Sequence, residues 1–320
     1  MAAASSSSEV PPLAKYLAST DKKTRDKATK QLAAFLSDPS RDSLPHSEMS
    51  KLWKGIFYCF WMSDKPLVQQ ALASELAEIL LNISSPSRPF DFLQGFWEAT
   101  VREWSGIDRL RIDKYYMLIR RFVNASFRLL LRTHWDSSSC DRYNAILTRQ
   151  GGPLCPDDTR VPTSLAYHLA DIYLEELNKI LGDPPEPSPS PAPLSTLLDP
   201  FFRLASRTPT KITYERIQSA MFEPLFTAMT PKPDDEPPSR KKPRLSTPTF
   251  SNILANACVS DWKAEGAVET GTLRKALLRR IFDVASGEDT RDANRRKMYS
   301  LWKSHTEDEE SNGPVIVDAS

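Results

Sequence analysis

LWKGIFYCFWMSDKPLVQQALASELA, Leu52 to Ala77, decides the fold class. On a helical wheel Leu52, Trp53, Ile56, Phe57 and Phe60 form one broad apolar face, and Tyr58, Cys59, Trp61 and Met62 place large or apolar groups on much of the remainder. Such a helix needs cover on more than one side. Gly55 costs a helix about 1 kcal/mol relative to alanine, which points to a neighbouring helix crossing at close range. Lys54 projects from this surface, and Ser63 to Pro66 ends the segment, with Asp64 suited to cap the next helix and Pro66 to its first turn. Val68, Leu72, Leu76, Ile79 and Ile83 then advance by threes and fours, a single stripe along a second helix. The first segment reads as an inner helix of a helical array. Lys54, Tyr58 and Trp61 are alternatively the part of it that meets a partner protein.

The same period recurs in Asp21 to Leu36, Phe90 to Trp104, Asp108 to Trp135 and Thr163 to Leu181, with breakers between at Asp38-Pro39, Leu44-Pro45, Ser85 to Pro89, Ser105-Gly106 and Gly151-Gly152-Pro153. Strand-like alternation is missing, and ten glycines among 320 residues are too few for an all-β chain. The expected fold is therefore all-α. Short connections imply antiparallel helix pairs, an α-solenoid of the HEAT or armadillo kind, although no clean repeat period is present. Residues 1–10 read as a disordered start and 11–229 as the main helical domain, interrupted by a proline-rich loop at 182–193. A basic, proline-rich linker follows at 230–248, then a helical appendage at 249–304, where Trp262, Leu278, Ile281 and Trp302 could pack, and an acidic disordered tail at 305–320.

A hydrophobic fraction of 40% supports a core, and a net charge of +1 means that any attraction to nucleic acid must come from local clustering. Cys59, Cys140, Cys155 and Cys258 lack metal-ligand spacing and fit reduced thiols. The first ten residues have no signal-peptide pattern and no apolar run is long enough to span a bilayer, so neither secretion nor a membrane is expected. His46, His134, His168 and His305 are scattered, and no nucleophile, phosphate-loop or zinc motif accompanies them. An enzyme, a cofactor or a small-molecule substrate is not expected. Glu176, among Leu165, Leu169, Ile172 and Ile180 on its helix, reads as one half of a structural ion pair, with the Arg109 to Arg111 segment as the source of its partner.

Two basic features point to partners. Lys114, Arg121 and Arg128 recur at heptad spacing with Arg132 one turn later, opposite the apolar face of Ile112, Tyr115, Ile119, Phe122, Val123 and Leu130; such a stripe suits phosphate oxygens without base reading. Arg240, Lys241, Lys242 and Arg244, in an extended proline-punctuated context, form the cluster that an importin would recognise. Arg274 to Arg280 is a second basic segment suited to RNA.

The opening block resembles the hallmark of the eukaryotic nucleolar ribosomal RNA processing protein 1 family. FLQGFWEATVREWSGIDRLRIDKYYMLIRR, Phe92 to Arg121, and DPFFRLASRT, Asp199 to Thr208, agree with that family in order, and Tyr173 to Leu177 supplies an intervening element. The resemblance covers about Leu13 to Met229. It implies an all-helical HEAT-like domain, nucleolar residence and membership of precursors of the large ribosomal subunit, beside pre-ribosomal RNA, assembly factors or ribosomal proteins, without enzymatic activity of its own.

Overall fold

Helices begin and end near the breakers. The computed structural model describes residues 13–40, 43–183, 189–230 and 249–311, with side chains through Glu307, and the chain is all-α. It divides into two compact units, Met1–Ser126 and Phe127–Ser320, whose boundary falls inside one helix.

The first unit contains α1 (Leu13–Leu17), α2 (Lys22–Ser37), α3 (His46–Trp61), α4 (Pro66–Asn82), α5 (Arg88–Glu103) and the first part of α6 (Ile112–Arg132). Asp21 starts α2 by accepting a hydrogen bond from the Thr24 amide, and Pro66 occupies the first turn of α4, where its missing N–H costs nothing. Alternate helices lie side by side: α1 packs on α3 and α3 on α5, while α2 packs on α4. This layering is what an α-solenoid does with short reversing loops.

The α3 residues expected to be buried are buried, and rings from α5 and α6 meet them. Trp53 lies 4.5 Å from Phe92 between ring centroids and donates its indole N–H to the Phe92 carbonyl at 2.9 Å, while Phe96 stacks on Phe122 at 3.8 Å. Burying each such side chain contributes about 1.5–3 kcal/mol. Gly55 is where α1 crosses α3: a Cβ there would lie 2.6 Å from the Ala14 carbonyl oxygen. Gly95 serves the α3–α5 contact, with an added Cβ only 2.3 Å from Trp53 Cδ1.

The second unit contains the end of α6, α7 (Ser137–Thr148), α8 (Thr163–Gly182), α9 (Leu194–Arg207), α10 (Lys211–Ile217), α11 (Glu223–Met229), α12 (Ser251–Ala255), α13 (Trp262–Glu265), α14 (Thr270–Ser286) and α15 (Asp292–Ser311). A wider π-type turn, Gln218–Phe222, joins α10 to α11. Helix α9 is the hub, touching α7, α10, α14 and α15. Tyr173 of α8 fixes it by donating to the Leu197 carbonyl at 2.9 Å and setting its ring against Phe201 at 4.9 Å.

Two expectations about the chain's later parts are corrected, and the end of the proline-rich loop is located. The expected appendage at 249–304 is part of this unit's core: Leu273, Leu277 and Ile281 are buried, and Arg280 bonds Asp199 of α9 at 2.8 Å. The end of the proline-rich loop is tied down, because Ala192–Pro193 (β1) pairs in parallel with Ala257–Cys258 (β2) and the Ser190 carbonyl accepts from Trp135 Nε1 at 2.8 Å. His134 and Trp135 turn the chain there in the left-handed region, at φ 51° and 53°, and Trp262 Nε1 donates to the His134 carbonyl at 2.6 Å. The expected disordered tail begins as helix, since α15 continues to Ser311; Arg274 donates to the His305 carbonyl at 2.7 Å and the His305 ring packs 5.2 Å from Phe226.

Candidate nucleic-acid interface

The stripe expected on α6 is divided by burial. Lys114 lies at the start of α6 and faces the end of α3, where the last carbonyls of a helix have no intrahelical donor. Its ammonium donates to the carbonyls of Trp61 at 2.7 Å and Ser63 at 3.1 Å and to Asp64 Oδ1 at 3.1 Å, with the residue only 5% exposed. It is a cap of α3, not a phosphate contact. Burial pushes the Lys114 ammonium below the usual lysine range while the Asp64 hydrogen bond works the other way; the hydrogen bonds of Lys114 and Arg111 hold the Asp64 carboxyl below its usual range.

Asp64 is accordingly not the cap of α4. Lys65 occupies that position without a side-chain cap, and Asp64 turns back to Lys114 and to Arg111 at 3.2 Å. Two cations reward it more than one exposed amide would. Arg111 also pairs with Asp108 at 2.7 Å and lies 5.0 Å over the Trp61 ring. Arg111 is therefore committed here, while Glu176 pairs with Lys179 of its own helix at 2.6 Å and has a further partner besides. The outer side of α3 presents Lys54 and Tyr58 as exposed residues and Trp61 as half-buried, its ring 6.1 Å from Phe57.

Of the other expected RNA contacts, Arg121 and Arg132 are exposed and Arg128 is half-buried, and both Arg128 and Arg132 have partners of their own. The basic segment Arg274 to Arg280 is mostly spent on structure: Arg274 is buried, Arg279 pairs with Asp283 at 2.9 Å and Arg280 with Asp199. Arg240, Lys241, Lys242 and Arg244 lie outside the described residues.

A basic stripe not expected from the sequence lies on α2. Lys23, Lys27 and Lys30 are all exposed and stand at positions i, i+4 and i+7, hence on one face, while Lys22 beside them pairs with Asp26. The spacing test applied to α6 would have found them.

Burial pushes the Cys140 and Cys258 thiols up to about 12 and raises Cys59 as well, so these sulfurs are held as thiols. Among the described residues no three His, Cys, Asp or Glu side chains converge as a metal site, and no helix is long and apolar enough to cross a membrane.

The family model described as "Nucleolar protein, Nop52" matches residues 8–303. The chain belongs to the Nop52 family. Ribosomal RNA processing protein 1 homolog B of Mus musculus is 30% identical over 352 residues, covering 100% of this chain and 47% of the relative. The human homolog B is 35% identical over 215 residues, 66% of this chain and 27% of the relative, and human homolog A is 32% identical over 223 residues, 68% and 47%. The chain thus spans about half or less of the length of these relatives. The Nop52 match also corrects the expected extent of resemblance: it continues beyond Met229 across α12 to α14 and most of α15, the helices that complete the second unit's core.

Proposed function

We propose that this Nop52-family chain is a non-enzymatic ribosome biogenesis factor, a nucleolar helical scaffold in precursors of the large ribosomal subunit that supports pre-ribosomal RNA processing. The observation that carries the reading is the family match over residues 8–303, with relatives named for ribosomal RNA processing. Physical reasoning supplies the mechanism. Aromatic packing and close helix crossings fix the helix faces, so charges on them meet a folded RNA already arranged. Lys23, Lys27 and Lys30, with Arg121, would contact phosphate oxygens, releasing counterions without reading bases. Assembly factors or ribosomal proteins would take other faces, with Lys54, Tyr58 and Trp61 as one contact, and an importin would take Arg240 to Arg244.

A second reading, a nuclear helical adaptor that touches proteins and no RNA, draws support from exposed Leu67, Leu110 and Ile212. Sedimentation separates the two. The tagged chain should travel with large-subunit precursors in a sucrose gradient and shift to light fractions after ribonuclease. Migration in light fractions before and after ribonuclease would overturn the scaffold reading, and ribonuclease-insensitive migration in a heavy complex lacking precursor RNA would favour the adaptor.

A further inference from the structure

A groove of about 610 Å³ in the first unit is lined by α2, by α4 and by the end of α3 with the turn that follows it. Cys59, Met62, Leu67, Val68, Ala71 and Leu72 give it an apolar lining, and Leu67 stands 80% exposed at its edge. No ring lines the groove, so it offers no platform for stacking a nucleobase, and the carboxylates of Asp26, Asp64 and Glu75 interrupt it where a continuous polyphosphate would have to pass. Its chemistry is that of a protein-binding groove.

The charges select the kind of protein. Asp26 is matched by Lys22, and Asp64 by Lys114 and Arg111. That leaves Arg25, Lys30 and Lys65 against Glu75 among the lining residues. Arg25 bonds two backbone carbonyls, those of Ser19 and Thr20, both at 2.9 Å, so its charge is held in place but not cancelled by them. Glu75 is held above its usual carboxyl range chiefly by burial. We infer that the groove between α2 and α4 receives an acidic segment of a partner protein, with aliphatic side chains against Leu67, Val68 and Ala71 and carboxylates at Lys30 and Lys65. This interaction shares Lys30 alone with the proposed RNA face and can hold under either functional reading.

The test uses the full chain and fluorescence anisotropy of a labelled synthetic peptide with leucines at helical spacing and glutamates between them. Its twin with lysine in place of glutamate, and an oligouridylate, are the comparison probes. Binding of the acidic peptide, and of neither comparison probe at this groove, is the expected result. Leu67→Asp with Ala71→Asp, and separately Lys30→Glu with Lys65→Glu, should each weaken binding by about tenfold or more, the effect of removing an anchoring side chain. All four positions are exposed, so circular dichroism should show both double variants folded. Lys23→Glu with Lys27→Glu should leave the peptide affinity near that of the parent. Equal binding of the lysine twin, unchanged affinity in folded groove variants, or an oligouridylate whose affinity falls in Leu67→Asp with Ala71→Asp as far as the peptide's would each overturn the assignment.

Discussion

Replacing Lys114 by methionine separates a cap from a phosphate contact. The substitution keeps most of the side chain's apolar volume and removes the ammonium, leaving the Trp61 and Ser63 carbonyls without the donor they now have at 2.7 and 3.1 Å. An acceptor left unsatisfied in the interior costs about 1–3 kcal/mol. Asp64 adds little, under about 1 kcal/mol, because its side chain is 59% exposed to screening solvent and keeps Arg111. Part of the loss is offset by relief of the desolvation that pushes the Lys114 ammonium down. The expected net destabilisation is about 2 kcal/mol, which at about 2–4 °C per kcal/mol lowers the first unit's transition by roughly 4–8 °C.

Thermal and urea unfolding followed by circular dichroism would measure it, with Arg121→Glu as an exposed control expected within about 0.5 kcal/mol of the parent. RNA affinity measured beside it should change little in Lys114→Met under conditions where the chain is folded. A Lys114→Met transition within a degree of the parent would refute the capping argument. If RNA affinity then fell without loss of stability, the phosphate role would belong to Lys114 after all.

Gly55→Leu should lower stability by about 1–3 kcal/mol through overpacking, and even Gly55→Ala should be measurably destabilising, since the first added carbon already meets the Ala14 carbonyl. Charge reversal of Lys23, Lys27 and Lys30 should leave the chain folded and reduce the slope of log affinity against log salt by about 0.7–0.9 for each phosphate no longer neutralised; an unchanged slope would make α2 a merely solvated face. Alanine at Arg240, Lys241, Lys242 and Arg244 should leave a fluorescent fusion largely cytoplasmic, and undiminished nuclear accumulation would rule the cluster out as the import signal. Asp158, held at about 2 by the Arg160 guanidinium, against about 3.9 in an unfolded chain, adds stability that is present above about pH 4 and lost as pH falls through about 2. Asp158→Asn should therefore flatten the acid limb of the stability profile between those values, as followed by urea titration at each pH.

The helices were legible because hydrophobic period and breakers are local properties, and the observed ends fall within a few residues of those read from the sequence. Gly55 was legible for a similar reason: a glycine inside an aromatic helix has few explanations other than close approach. Lys114 was not, because a helical wheel says which residues share a face and nothing about which neighbour covers that face at one end. The heptad from Lys114 to Arg128 is real, but its first member meets the end of α3 and its third is half-buried with partners. The C-terminal helices were misjudged because a long proline-rich linker looks like a domain boundary, whereas what joins them to α9 is buried leucine and the Arg280–Asp199 pair, contacts without a local signature. The acidic residues near Glu307 looked disordered by composition, yet Lys303 sits one turn earlier at 3.4 Å and the preceding turns are packed.

Lys114 is one case of a wider use of cations in this chain. Arg25 donates to the Ser19 and Thr20 carbonyls after α1, and Arg88 to those of Leu36 and Asp38 at the end of α2. Arg295 does the same for Ala285 and Gly287 where α14 finishes. Each site has the same cause: short loops between stacked helices bring C-terminal carbonyls into partly buried places, where the helix dipole is negative and water is scarce, and a long cationic side chain from elsewhere answers both needs. Counting basic residues on a helical array therefore overstates the surface available to nucleic acid. For the first unit, discounting the caps removes Lys114, Arg25 and Arg88 and leaves Lys23, Lys27, Lys30 and Arg121 as the cations with the strongest claim to phosphate. At about 0.9 or less per phosphate, those four would give the isolated interaction a salt slope no steeper than about 3.6. A much steeper slope for this unit alone would mean that further cations join the contact, exposed ones such as Lys15, Lys54, Lys65 and Arg109 before a cap such as Lys114, whose release the cost of uncapping α3 makes unfavourable.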